Sequence, residues 1–124
     1  KPEQERSTKS TGMAQQLHGY AISGGSVLGI CGCMQMLGQE LHDPEGLEGE
    51  GAPASSSGLG LLPIRTTFSP AKTTRQQDVV ATWPQPCSLR GFELHHGCTA
   101  LTDIGCAEAV QPLSPSNSIG LVRQ

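Results

Sequence analysis

Aromatic side chains are scarce in this chain of 124 residues: Tyr20, Phe68, Trp83 and Phe92 are all it has. Any core must therefore be built from aliphatic side chains, and 16 glycines and 9 prolines break the chain into many turns. Cations are few as well. Lysine and arginine number 8 against 11 aspartates and glutamates, a net charge of −3, and they form no basic cluster of the kind that marks a nucleic-acid partner. No apolar run approaches the ~20 residues that a membrane span requires, and the polar start from Lys1 to Ser10 holds no apolar signal-peptide core. No G-x-x-x-x-G-K-[ST] sequence is present to cradle phosphates. The length admits one domain at most. Five cysteines (31, 33, 87, 98 and 106) make an odd set without a targeting segment, which reads as reduced thiols in a cytoplasmic setting rather than a disulfide framework.

Patterning divides the chain into a polar segment over residues 1–11, expected to be loop or disordered, and a partial domain over 12–124. Met13, Leu17, Tyr20 and Ala21 recur near the helical period and predict a helix over Met13–Ile22, stopped by Gly24-Gly25. Ser26–Ile30 reads as a buried strand of the parallel-sheet kind. Gly32–Leu41 reads as a helix that Pro44 ends, and Leu47–Ser57 as a loop. Strands are expected at Leu61–Phe68, Asp78–Trp83 and Arg90–His95, separated by turns at Ser69-Pro70 and at Pro84 to Pro86. Pro112–Asn117 reads as loop, and Ile119–Arg123 as the opening of another strand. This order predicts an α/β fold with a parallel sheet and an antiparallel extension.

The strongest local signal is Gly29-Ile30-Cys31-Gly32-Cys33-Met34-Gln35, entered from Ser26-Val27-Leu28. An apolar run ending in G-x-C and passing into a helical pattern is the layout of a nucleophile elbow, in which a sharp turn exposes the reactive side chain. Backbone N–H groups of the following helix then point towards the thiol and can stabilise an oxyanion. Cys31 is the expected nucleophile, with Gly29 expected to give the turn its unusual backbone angle.

Four stretches in order extend this signal. Gly29 to Gln39 (GICGCMQMLGQ) is similar to a "GICGGYQMLG" segment, and Asp43-Pro44-Glu45-Gly46 with Glu48 to "DPxGxE". Gly58 to Leu62 with Thr66-Thr67-Phe68 is similar to "GLGLL…TTF", and Gly91 to Gly97 to "GYEIHxG". Upstream, Thr8-Lys9-Ser10-Thr11 is similar to a "PGTKST" turn. Together they resemble the class I glutamine amidotransferase-like domain of the cobyric acid synthase family. The resemblance implies a three-layer, flavodoxin-like α/β fold, here truncated at both ends. It implies that glutamine is the substrate and that the ammonia released feeds an ATP-dependent amidation of corrinoid carboxylates in cobalamin biosynthesis. It further implies that Cys31 forms a γ-glutamyl thioester, that the Gly32 N–H is an oxyanion donor, and that Gln35 helps to hold the glutamine. No cofactor is expected on this segment; ATP and magnesium would belong to a separate synthetase domain, the implied partner.

Departures from the family pattern qualify that expectation. The family's catalytic histidine would follow the strand that begins near Leu121, and the chain stops at Gln124, so this segment is expected to be inactive alone. Cys33 stands where the family has a glycine, with a clash expected, and Cys98 where it has an arginine. His95 or His96 could substitute as the base, against the plainer reading of strand-end histidines, and Glu93 is expected to support the fold. A zinc site from Cys31, Cys33, His95, His96 and Cys98 is not expected, because C-x-C departs from the usual ligand spacing. A redox pair is not expected either, since the usual motif has two intervening residues. Asp43, Glu45, Glu48 and Glu50 read as a solvated acidic loop or a contact with the synthetase. The alternative function is a non-catalytic interaction module docking on a synthetase subunit; a cysteine hydrolase of the α/β-hydrolase kind would explain the elbow but not the downstream motifs.

Overall fold

A computed structural model describes residues 12–49, 51–102, 110–114 and 120–123. The polar segment 1–11, with the stretch Thr8–Thr11 expected to form a turn, lies outside the described residues, as do Glu50 and Cys106. The chain divides into two compact units, Lys1–Ala71 with His96–Thr102, and Lys72–His95 with Asp103–Gln124.

The first unit opens with α1 (Met13–Ile22), whose bounds are those the apolar spacing predicts. Its end is set by Gly24, at φ 97°, and by the Gly25 N–H bonded to the Tyr20 carbonyl at 2.9 Å. The expected strand over Ser26–Ile30 does not form: these residues pair with no strand, and Val27, Leu28 and Ile30 are exposed. Apolar side chains favour a pleated, buried surface, but a strand exists only by pairing, and no ladder lies beside this run among the described residues.

The helix expected over Gly32–Leu41 is also shorter. It forms as α2 (Gly32–Met36), and Glu40–Asp43 departs from it as strand β1. The change has a physical cause at the end of α2. The N–H groups of Leu59, Leu61, Leu62 and Gly60 donate to the carbonyls of Met36, Leu37, Leu37 and Gly38 at 2.8–2.9 Å. These carbonyls, which a longer helix would have turned inward, are claimed by another stretch of chain. Gly58–Leu62 is therefore a capping bend rather than the start of a strand. Its first residue must be glycine, because a side chain there would strike the Gly38 carbonyl.

β1 pairs antiparallel with β2 (Ala54–Ser57), inside the stretch expected to be loop, with Leu41 opposite Ser56. On its other side β1 runs parallel to β3 (Ile64–Ala81), with Leu41 opposite Thr66. The sheet order is β2-β1-β3-β4, where β4 is Cys87–Leu101. Contacts between β3 and β4 run in opposite senses: Thr66 meets Thr99, and further along Asp78 meets Arg90. The sheet is thus mixed, as the α/β expectation required. Leu37, Leu41, Ile64 and Phe68 are buried and form the core of this unit, each worth roughly 1.5–3 kcal/mol of hydrophobic stabilisation.

Two expected strands, Leu61–Phe68 and Asp78–Trp83, merge into β3 from Ile64 and as far as Ala81, because Ser69-Pro70 does not break it; Leu61–Pro63 and Thr82-Trp83 lie outside the strand. β1 reaches only as far as Thr67, so Pro70 lies beyond its register and no N–H is needed on that side. In the second unit the distal halves of β3 and β4 are joined across the expected proline turn, and the expected strand Arg90–His95 lies within β4. A two-stranded sheet follows, β5 (Val110–Pro112) with β6 (Leu121–Arg123), so the final strand is present but shorter than expected. The Thr82 N–H ties this sheet to the end of β3 through the Leu113 carbonyl at 2.9 Å.

Gly58→Ala should cost roughly 1–3 kcal/mol, since the obstacle is backbone and cannot rotate away. Thermal unfolding should show a clear fall in Tm, against no significant change for Gly49→Ala, where a methyl group meets nothing within 4 Å.

Candidate active site

The turn that carries Cys31 is closed by a hydrogen bond from the Cys33 N–H to the Ile30 carbonyl at 3.1 Å. Cys31 has φ 56° and ψ −120°, the first central position of a type II′ turn, which glycine normally fills. It is the one non-glycine residue at positive φ among the described residues. Holding a side chain there costs about 1–3 kcal/mol, and such strain clusters at active sites. The thiol is exposed.

The expected role of Gly29 changes accordingly. Its φ is ordinary; the unusual angle belongs to Cys31. Gly29 instead supplies space, because a methyl group there would lie 2.7 Å from Leu37 Cδ1 and 2.9 Å from the Met34 Cα. Cys33 is exposed, so its side chain does not make the clash expected of it.

Gly32 opens α2, and its N–H has no acceptor among the described residues, leaving it available as a donor. With five residues, α2 sums few peptide dipoles, so local N–H groups matter here more than a macrodipole. Gln35 is 4% exposed, and its carboxamide oxygen has no hydrogen-bond partner among the described residues. A buried acceptor left unmatched costs about 1–3 kcal/mol, a cost that a ligand's N–H would relieve.

The histidines separate. His95 belongs to the second unit, where its Nε2–H donates to Glu93 Oε1 at 2.8 Å. Glu93 also accepts from Arg75 Nε at 2.6 Å and from Gln77 Nε2. The hydrogen bond from His95 holds the Glu93 carboxyl below the ordinary glutamate range, helped by Arg75 and opposed by partial burial. His96 belongs to the first unit and is half-buried on β4; no hydrogen bond joins it to Cys31. The acidic loop is not wholly solvated. Asp43 is buried, and its two carboxylate oxygens accept from the Leu47 and Glu48 N–H groups, each at 2.9 Å. Sequence reasoning missed this clamp, although an aspartate before Pro-x-Gly is a turn signal. Among the described residues no group of three or more His, Cys, Asp or Glu side chains is placed to hold a metal ion, and no helix is long and apolar enough to cross a membrane.

The model of the CobB/CobQ-like glutamine amidotransferase domain matches residues 2–115. The chain belongs to this family. A cobyric acid synthase of Synechococcus sp. (strain CC9605) is 53% identical over 111 residues, covering 90% of this chain and 21% of the relative. One from Parasynechococcus marenigrum (strain WH8102) is 54% identical over 95 residues, 77% of this chain and 19% of the relative. One from Nostoc sp. (strain PCC 7120 / SAG 25.82 / UTEX 2576) is 45% identical over 115 residues, 92% and 23% respectively. The chain thus spans about a fifth of the length of the curated relatives it matches. As a CobB/CobQ-like glutamine amidotransferase domain it carries the mixed α/β fold described above, and the resemblance read from its motifs holds.

Gly29→Ala should dislodge the Cys31 turn by forcing Met34 and Leu37 away. Its expected signature is a fall in the rate of Cys31 alkylation or a change in its accessibility, measured by thiol labelling, with Cys87 and Cys98 as internal references. Glu93 supplies a pH dependence. Its lowered carboxyl contributes stability that is fully present above the ordinary glutamate value of about 4.3 and is lost as pH falls through the depressed folded value. Acid unfolding monitored by circular dichroism should therefore be steeper in the wild type than in Glu93→Gln.

Proposed function

We propose that this chain is the glutaminase portion of a cobyric acid synthase, releasing ammonia from glutamine for ATP-dependent amidation of corrinoid carboxylates in cobalamin biosynthesis. The observation that carries the reading is Cys31 itself: an exposed thiol held at φ 56° in a position that favours glycine, on a chain of this family. Such strain is retained where it aims a reactive group.

In this reading the Cys31 Sγ attacks the carboxamide carbon of glutamine. The oxygen becomes an oxyanion beside the Gly32 N–H, a donor worth ~3–4 kcal/mol where such groups have been removed from other enzymes. Ammonia leaves as the γ-glutamyl thioester forms, and water then releases glutamate. The unmatched Gln35 oxygen is assigned to an N–H of the bound glutamine. The thiol proton needs a base, which typically contributes 10²–10⁴ in rate. Among the described residues no histidine or carboxylate is hydrogen-bonded to Cys31, so the base is assigned to the remainder of a longer protein, as the relatives' length favours. ATP and magnesium are assigned to the synthetase portion, on which this segment would dock, and the four thiols free among the described residues favour a cytoplasmic location.

A second reading is a non-catalytic module that docks on a synthetase; among the described residues no base is hydrogen-bonded to Cys31, as that reading requires. One experiment separates the two. In the longer protein carrying this segment, Cys31→Ala should abolish glutamine hydrolysis by at least about 10³-fold while amidation driven by added ammonia continues. Ammonia release undiminished by Cys31→Ala would leave only the docking role.

A further inference from the structure

Cys33 has no part in the chemistry above, yet it stands two residues from the proposed nucleophile on the same turn. Both thiols are free and exposed. Two side chains at i and i+2 diverge when both residues are helical. Cys31 is not helical: its φ of 56° and ψ of −120° re-aim its side chain relative to the α2 axis. Cα atoms two apart at the start of a helix are separated by about 5.4 Å, within the ~4.4–6.8 Å that a disulfide spans. The spacing that disfavours a C-x-x-C type of redox motif therefore does not bar a bond here, because one partner sits at the N-cap.

We propose that Cys33 is a resolving cysteine, and that Cys31 and Cys33 form a reversible intramolecular disulfide when the chain meets a peroxide. The Cys31 thiolate attacks a peroxide oxygen and the O–O bond breaks. Cys31 is oxidised to the sulfenic acid, and hydroxide leaves as water after taking a proton. The Cys33 thiolate then attacks the Cys31 sulfur, the S–S bond forms, and the sulfenic oxygen leaves as a second water. In sum, two thiols lose two electrons and two protons, and one hydrogen peroxide becomes two waters. A dithiol reductant restores both thiols by exchange. The bond takes the proposed nucleophile out of action reversibly, and stops Cys31 short of the sulfinic acid, from which ordinary reductants do not rescue it. Placing this device on the glutaminase reaction rests on the reading of Cys31 as nucleophile; the disulfide itself does not.

Cleavage after lysine and arginine isolates the test, since the fragment from Ser10 to Arg65 holds Cys31 and Cys33 and none of the other cysteines. The full reduced chain is treated with hydrogen peroxide at a small molar excess, alkylated and digested. The expected result is a Ser10–Arg65 fragment lighter by two hydrogens than the reduced one, unalkylated, and returned to the doubly alkylated form by dithiothreitol. In Cys33→Ser and Cys33→Gly the same treatment should leave Cys31 carrying oxygen, trapped by dimedone. Glycine keeps the backbone suited to the turn, so a folding defect confined to the serine variant leaves the test intact. Two thiols that still alkylate fully in the wild type, equal oxygenation of Cys31 with and without Cys33, or crosslinks between chains would each overturn the proposal. In the longer protein, peroxide at an excess that carries an unprotected Cys31 on to the sulfinic acid should remove more than nine-tenths of glutaminase activity, recovered by dithiothreitol in the wild type but not in Cys33→Gly. If Cys31→Ala retains glutaminase, the nucleophile reading fails, while the disulfide stands or falls on the mass of the fragment alone.

Discussion

Five N–H groups of one bend, those of Gly58 through Leu62, donate to the carbonyls of Met36, Leu37, Gly38 and Gln39. These bonds decide how much of the elbow can be helix. They satisfy acceptors that would otherwise face either water or a further helical turn, so α2 stops after five residues and the chain is released into β1. The Gln39 N–H then bonds the Ile64 carbonyl at 2.8 Å, and the Thr102 N–H bonds the Pro63 carbonyl at the same distance. The ends of α2, β3 and β4 are thereby tied to a common point. Removing the bend would free the rear of the elbow as well as the edge of the sheet.

The front of the elbow depends on that anchorage. Cys31 occupies a backbone conformation that costs energy, and a lone five-residue helix has too little intrinsic stability to impose it. What holds it is the closure at both ends: the Ile30 carbonyl and the Cys31 carbonyl take the N–H groups of Cys33 and Gln35 in front, and the Gly58–Leu62 bend holds the carbonyls behind. Leu37, buried beside Gly29, joins the two. The stretches similar to "GICGGYQMLG" and "GLGLL" therefore act as the two halves of one support, far apart in sequence and bonded through backbone.

That division explains what was legible beforehand. Helix α1 depends on local spacing and a glycine stop, and its bounds follow from the sequence alone. Cys31 was legible for the same reason, since G-x-C after an apolar run marks a turn. The β1–β2 pairing was not, because Ala54-Ser55-Ser56-Ser57 has no apolar period, and its strand state comes from the partner across the sheet. Val27-Leu28 is the converse: the apolar run exists, and among the described residues no strand pairs with it. At Gly29 the pattern marks a special position without revealing its cause: the missing side chain makes room, and the strained angle lies two residues on, at Cys31.

The two carboxylates that matter most differ in what they leave available. Asp43 gives one oxygen to Leu47 and the other to Glu48, both within its own loop, so its charge is spent on shaping the turn after β1. Glu93 draws Arg75, Gln77 and His95 together across the β3–β4 pair of the second unit. With its Nε2–H held by that carboxylate, His95 is fixed in orientation, as a fold-supporting pair requires and as a positioned base would also require. The distinction lies in what Glu93 is worth. A supporting pair loses stability in acid when Glu93 titrates, and Glu93→Gln then changes the unfolding curve; a base changes the pH dependence of turnover while the fold persists.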